Sequence, residues 1–345
     1  MKTNKVKELS RPIGGGRINY LDALKCLGIL LVIEGHVRGA MGIKVYDTLS
    51  GLMLYSFNMP IFFFISGFLA YRGQMSLTDT VLKTWKKFIL LVIPAIVFRV
   101  FLDLCTSQSV GDYLHNGVGG YWFTIVLFEC FLVFYTVRLI CRNEKYLTAL
   151  LLILAVISIG AVSLFGEFGP VLMDLNRFCK YFQYFVFGIL AMKYKDFYER
   201  SMSNERAKAI ALIAYFAILF TINNHLWPQP VFHILRDIVF RYLGTFIIIS
   251  FFFCNKKMFN NEKMSNKLVL AVGKSSLAIY LLQYFFVPNF DLFPIKDLTT
   301  IHIISFLYTL VIGGICMLFI HLLSNSNFIS TYVLGKVEKG KNGKI

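Results

Sequence analysis

The chain divides into long apolar blocks separated by short polar connections. Ten blocks have the length of a membrane-crossing helix, at residues 19–38, 49–71, 85–104, 119–141, 147–165, 178–194, 207–224, 232–254, 267–287 and 300–323. The longest stretches outside them are the first eighteen residues and the tail after 324. The pattern therefore predicts an all-α fold, a polytopic membrane helix bundle of about ten transmembrane helices. A cytoplasmic N-terminal segment covers 1–18, the membrane domain 19–323, and a basic cytoplasmic tail 324–345. The first block lacks a small-residue cleavage site and carries Lys25, Glu34 and His36, so it reads as a retained helix, not a signal peptide. The run Gly14–Gly16 is a flexible lead-in and no phosphate loop, because no strand precedes it.

Composition agrees with a chain that lives in lipid. It is 57% hydrophobic and only 16% charged, with a mean hydropathy of +0.65. The formal net charge of +16 raises the question of nucleic acid. Position answers it. On alternate connections the cations number 25 against 4, the four being Lys44, Arg177, Arg236 and Lys296. This is the positive-inside pattern, and it predicts that both termini are cytoplasmic. Basic charge in short loops serves the inner leaflet of a bilayer, so no nucleic-acid partner is expected. The seven cysteines are scattered, without a CxxC or CxxH pair, and predict neither a metal site nor a disulfide framework.

Polar residues inside the blocks carry the chemistry. Lys25 and His36 lie eleven residues apart in the first block. Eleven residues make about three helical turns, so both share one face, about 16 Å apart along the axis. An ionisable group in hydrocarbon costs about 3 kcal/mol or more and marks function by default. The plainer readings are a snorkelling lysine and an interfacial histidine. Asp22 lies one turn before Lys25 and can neutralise it. Glu34 with Arg38, Arg99 with Asp103 and Asp237 with Arg241 are spaced i,i+4 at outer depth, and Glu129 lies mid-span in the fourth block. Together they suggest a wet, charged cavity that opens outward and binds substrate. The alternative for each pair is mutual neutralisation that pins helices. Lys83, Lys86 and Lys87 sit at the inner mouth of the third block, either as anion ligands or as ordinary topology signals.

These residues fall in a recognisable order. The opening RINYLDALKCLGILLVIEGH resembles the signature of the acyltransferase-3 family of integral membrane acyltransferases: a basic residue, ten residues and His, here Lys25 and His36, with Arg17 and Asp22 before them. YSFNMPIFFFISGF resembles the family's Met-Pro-hydrophobic-Ser-Gly segment through Met59, Pro60, Ser66 and Gly67. Lys83 and Lys86 ahead of Pro94 match a basic pair that is more often arginine. Trp122–Phe123 and VGKSSLAIYLLQ match two later segments, with Gln283 in place of the usual His. The resemblance covers about residues 17–323. Its wording is closest to fucose O-acetylase-like sugar acetyltransferases.

The resemblance implies an O-acyltransferase of the cell inner (cytoplasmic) membrane. It moves an acyl group, expected to be acetyl, from acyl-CoA to a sugar hydroxyl on a cell-surface polysaccharide or lipid-linked glycan. Acyl-CoA, expected to be acetyl-CoA, is a donor substrate and no bound cofactor is implied. Its phosphates would meet Lys83, Lys86 and Lys87. Its thin arm would thread between helices past Lys25 towards His36. That histidine would serve as general base or acyl carrier, with Asp22 orienting Lys25. A second reading is an exopolysaccharide exporter of the same membrane family. It would call for a continuous pore with paired repeats or broken helices, and the sequence shows no repeat. A membrane scaffold explains none of the intramembrane charge.

Overall fold

A computed structural model describes residues 18–43, 48–71, 75–106, 118–165, 174–223, 230–261, 263–287 and 298–326, together with 329, 334 and 335. Arg17, Lys44, Lys296 and the Gly14–Gly16 run lie outside these residues, as does most of the predicted N-terminal segment and basic tail. The described residues form twelve α-helices and no strand. In chain order they are α1 (Asn19–Ala40), α2 (Leu49–Ala70), α3 (Leu77–Cys105), α4 (Trp122–Ile140), α5 (Glu144–Phe165), α6 (Leu175–Lys193), α7 (Lys195–Ser203), α8 (Glu205–Asn223), α9 (Pro230–Cys254), α10 (Met264–Lys274), α11 (Ser276–Leu282) and α12 (Leu298–Leu323). Among the described residues six stretches are long and apolar enough to cross a membrane, or seven when α10 and α11 count as one bent span, against the ten expected; α1, α6 and α8 are not among them. The chain is a multi-pass membrane protein.

Two predicted spans differ from straight helices, each for a local reason. The third is longer and begins at Leu77. Within it Phe88–Val92 is a π-turn, closed by the Ile93 N–H on the Phe88 carbonyl. Pro94 follows, and it has no N–H to give to the carbonyl of Leu90, so the ladder slips by one residue. The ninth is broken: α10 and the stretch Ser276–Phe285 meet at 63°. The junction reads Gly-Lys-Ser-Ser. The Ser275 N–H is shared between the carbonyls of Ala271 and Val272 (3.1 and 3.0 Å), and serines there compete with the helical ladder. The short three-residue turn Gln283–Phe285 then continues α11.

The core lies between α1, α2, α4, α6 and α11. Its tightest crossing is α2 on α6. A Cβ on Gly67 would overlap the carbonyl oxygen of Phe185, and one on Gly188 would overlap that of Phe64. The two backbones touch through this reciprocal pair of glycines. Small residues at such crossings are how helices approach closely in lipid, where no hydrophobic force drives them together. Gly273 of α10 lies in the same way on the Asp22 carbonyl of α1.

Charged side chains tie the bundle at both ends. At the end that holds Lys25, the Glu144 carboxylate receives Arg138 of α4 (2.5 Å), Lys193 of α6 (3.4 Å) and the Tyr71 hydroxyl (3.0 Å). At the end that holds His36, Glu34 and Arg38 form the predicted pair. Arg38 gives Nε and Nη2 to Glu34 Oε1 at 3.0 and 2.6 Å. Ser305 and Thr309 of α12 donate to the same carboxylate at 3.1 and 3.4 Å, and Arg38 Nη1 reaches Ser50 of α2 at 2.9 Å. This network joins α1 to α2 and α12.

Two outcomes test these contacts. Gly188→Ala should cost roughly 1–3 kcal/mol, because the new methyl group meets backbone and not a movable side chain. Gly160→Ala, where nothing stands within 4 Å of the new atom, should be neutral or slightly stabilising. Equal losses in thermal melts of the detergent-solubilised variants would refute the backbone crossing. Arg38→Leu should cost about 3–5 kcal/mol by leaving Glu34 buried without its cation. Replacing both residues with Leu should return most of that loss, and a silent single variant would mean that the pair pins nothing.

Candidate functional site

His36 lies on α1, two residues from Glu34. Two helical residues turn about 200°, so its ring points away from the α12 network. It meets Tyr284 instead, with Nε2 and the phenol oxygen 3.2 Å apart and ring centroids at 4.8 Å. The break between α10 and α11 makes this possible, because it redirects Tyr280, Gln283 and Tyr284 towards α1. The Tyr284 hydroxyl donates to the Gly120 carbonyl at 2.8 Å, and the Tyr280 hydroxyl donates to the same oxygen at 2.5 Å. Gly120 belongs to the one-turn helix Gly119–Tyr121 that leads into α4. A Cβ there would stand 2.5 Å from the Tyr284 ring. Gln283, at the position of the expected family histidine, is fully buried with its side chain beside His36.

The same turn brings in the end of α3. Gly119 has a φ of +57°, and a Cβ on it would meet Arg99 Nη1 at 2.5 Å. Arg99 holds Asp103 through two bonds, Nε–Oδ2 at 3.1 Å and Nη2–Oδ1 at 3.0 Å, as its spacing predicts. One turn of backbone therefore separates the Arg99 guanidinium from Tyr284, which holds His36. Beside it, Arg177 stacks over the Trp122 ring at 4.8 Å and pairs with Asp174. Tyr181 stacks on Trp122 at 5.5 Å and receives Arg241 Nη1 at 3.5 Å.

Other expected site residues lie apart from this cluster. Asp237 and Arg241 do not pair with each other. Asp237 is half exposed and takes the adjacent Arg236 at 2.9 Å, while Arg241 turns to Tyr181. Glu34 and Arg38 are enclosed in the α12 network. Glu129 is buried on α4, and neither carboxylate oxygen has a hydrogen-bond partner among the described residues. Lys25 pairs with Asp22 at 2.6 Å, about three helical turns from His36, so the two do not act on one atom.

Lys83, Lys86 and Lys87 lie on the first turns of α3, at the opposite end from Arg99. Sixteen residues separate Lys83 from Arg99, about 24 Å of helix. Lys86 is exposed, and Lys87 rests 4.0 Å over the Phe131 ring. Beside them α3 and α4 enclose an apolar groove of about 350 Å³ between Thr80, Thr84, Phe88, Phe128, Leu132 and Tyr135.

Sequence reasoning missed Gly120 and Tyr284, and it gave Tyr280 no role although that residue lies in the VGKSSLAIYLLQ segment. The available signal was the i,i+4 spacing of the two tyrosines next to Gln283, which puts both on one helix face. It is masked by the abundance of tyrosine in a membrane chain.

The acyltransferase-3 family model, described as an acyltransferase domain, matches residues 18–325. No curated protein and no solved structure matches the chain. The family match runs from the residue before α1 to just beyond α12, so it takes in both the His36 cluster and the lysines of α3. The chain belongs to the acyltransferase-3 family and is a membrane acyltransferase.

Proposed function

We propose that this protein is an O-acyltransferase of the cytoplasmic membrane, with both termini in the cytoplasm. It transfers an acetyl group from acetyl-CoA to a sugar hydroxyl of an envelope polysaccharide or its lipid-linked precursor. The observation that carries the reading is the setting of His36. It is held by a phenol and not by a carboxylate or a cation, so it stays a neutral imidazole able to take a proton. The other charged groups on α1 are bound in ion pairs.

Donor and acceptor enter from opposite ends. The donor phosphates meet Lys83, Lys86 and Lys87, where positive charge gathers. The apolar groove between α3 and α4 suits the uncharged arm that follows. The acceptor reaches His36 from the end that carries Arg99 and the Arg177–Trp122–Tyr181–Arg241 stack. Guanidinium and aromatic groups suit a hydroxyl-rich, amphipathic ligand there. His36 draws the proton from the acceptor hydroxyl as its oxygen attacks the thioester. The exporter reading is not favoured, since the family match is to acyltransferases and the broken pair α10–α11 has no counterpart among the described residues.

Purified protein with acetyl-CoA and a glycan acceptor tests both ends. His36→Ala should reduce transfer by about 100-fold or more while the protein still inserts and folds. Transfer at the wild-type rate would sink this mechanism. Lys83→Gln with Lys86→Gln should raise KM for acetyl-CoA well above any change for the acceptor. That effect should shrink at high salt, where screening already weakens the contact. An unchanged donor KM at low salt would make the lysines topology signals alone.

A further inference from the structure

We infer that Tyr284 is a positioning residue that fixes the tautomer of His36 and makes Nδ1 the proton-accepting atom. The inference rests on the proposed role of His36 as base. It follows from counting protons. A phenol has one, and a carbonyl can only accept. The Tyr284 hydroxyl gives its proton to the Gly120 carbonyl at 2.8 Å. That carbonyl has two lone pairs and also takes the Tyr280 proton. Towards His36, 3.2 Å away, Tyr284 therefore accepts, and Nε2 must carry the hydrogen. A neutral imidazole has one N–H, so Nδ1 keeps its lone pair. Nδ1 is buried beside the Gln283 side chain and forms no well-aligned hydrogen bond among the described residues.

The reaction then balances at named atoms. The acceptor hydroxyl proton moves to Nδ1 as the new oxygen–acyl bond forms and the thioester carbon–sulfur bond breaks. The proton passes from Nδ1 to the departing CoA thiolate, and the neutral imidazole returns. During the charged interval Nε2–H still donates to Tyr284, and that bond strengthens when its donor is cationic.

The opposite tautomer makes a distinct prediction. Gln283 lies beside His36, and its Oε1 is also buried without a well-aligned hydrogen bond among the described residues. If His36 carried its proton on Nδ1, Gln283 would accept it and Tyr284 would donate to Nε2. Nitrogen NMR of histidine-labelled protein separates the two, the His36 signals being those lost in His36→Asn. The expected result is a protonated Nε2 and a bare Nδ1 in the wild type, and a mixture of tautomers in Tyr284→Phe. That variant should lose roughly 10–100-fold in kcat, the worth of one hydrogen bond to a group that becomes charged. Its KM for acetyl-CoA should hold, because the donor site lies at the other end. A wild-type proton on Nδ1 overturns the inference. So does Tyr284→Phe with unchanged tautomer and kcat. If Tyr284→Phe does not fold, the wild-type spectrum still decides. Failure of the base role itself reads differently: His36→Ala would transfer normally whichever tautomer is seen.

Discussion

A charge carried into an apolar helix bundle must meet its partner there or be given up by neutralisation. That constraint organises α1 and, through it, the molecule. Asp22 and Lys25 neutralise each other at one end, Glu34 and Arg38 at the other. The second pair also recruits hydroxyls from α2 and α12, so satisfying its charges fixes how three helices sit. His36 is the exception on this helix. Its partner is neutral, and its chemistry is not spent on holding the fold.

The remaining contacts follow from what lipid lacks. With no hydrophobic force between helices, backbones must approach closely or hydrogen-bond across the gap. Gly67 and Gly188 supply the first kind of contact, and Gly119 and Gly120 serve the second. The glycines at 119 and 120 allow one turn to touch Arg99 on one side and Tyr284 on the other. The histidine and the guanidinium at that end thus share a common piece of backbone.

The sequence exposes much of this and conceals a definite part. Each of the ten apolar blocks is helical, the ninth as α10 and α11, because apolar runs are a local property; among the described residues only six or seven stretches have the length and hydropathy of a membrane span. The pairs Asp22–Lys25, Glu34–Arg38 and Arg99–Asp103 are legible for the same reason, since spacing along one helix sets them. Asp237 escapes that rule because Arg236, the preceding residue, reaches it first. The break after Gly273 lies inside an apolar block, where hydropathy gives no sign of it and only two serines hint at it. Tyr284 and Gly120 are hidden for a deeper reason. Their meeting with His36 depends on that break and on tertiary packing, neither of which spacing records.

The separation of these residues has a consequence for how the protein is made. His36 and Tyr284 are 248 residues apart, and Gly120 and Tyr284 are 164 apart. Helices leave the ribosome in order, so α1 enters the bilayer long before α11 is synthesised. Its imidazole must wait there without its phenol partner. The ion pairs of α1 close within one turn and protect the helix at once, whereas the His36–Tyr284 hydrogen bond forms near the end of synthesis. Assembly of the site is therefore a late event of biogenesis, and a chain truncated before α11 can be inserted and still lack it.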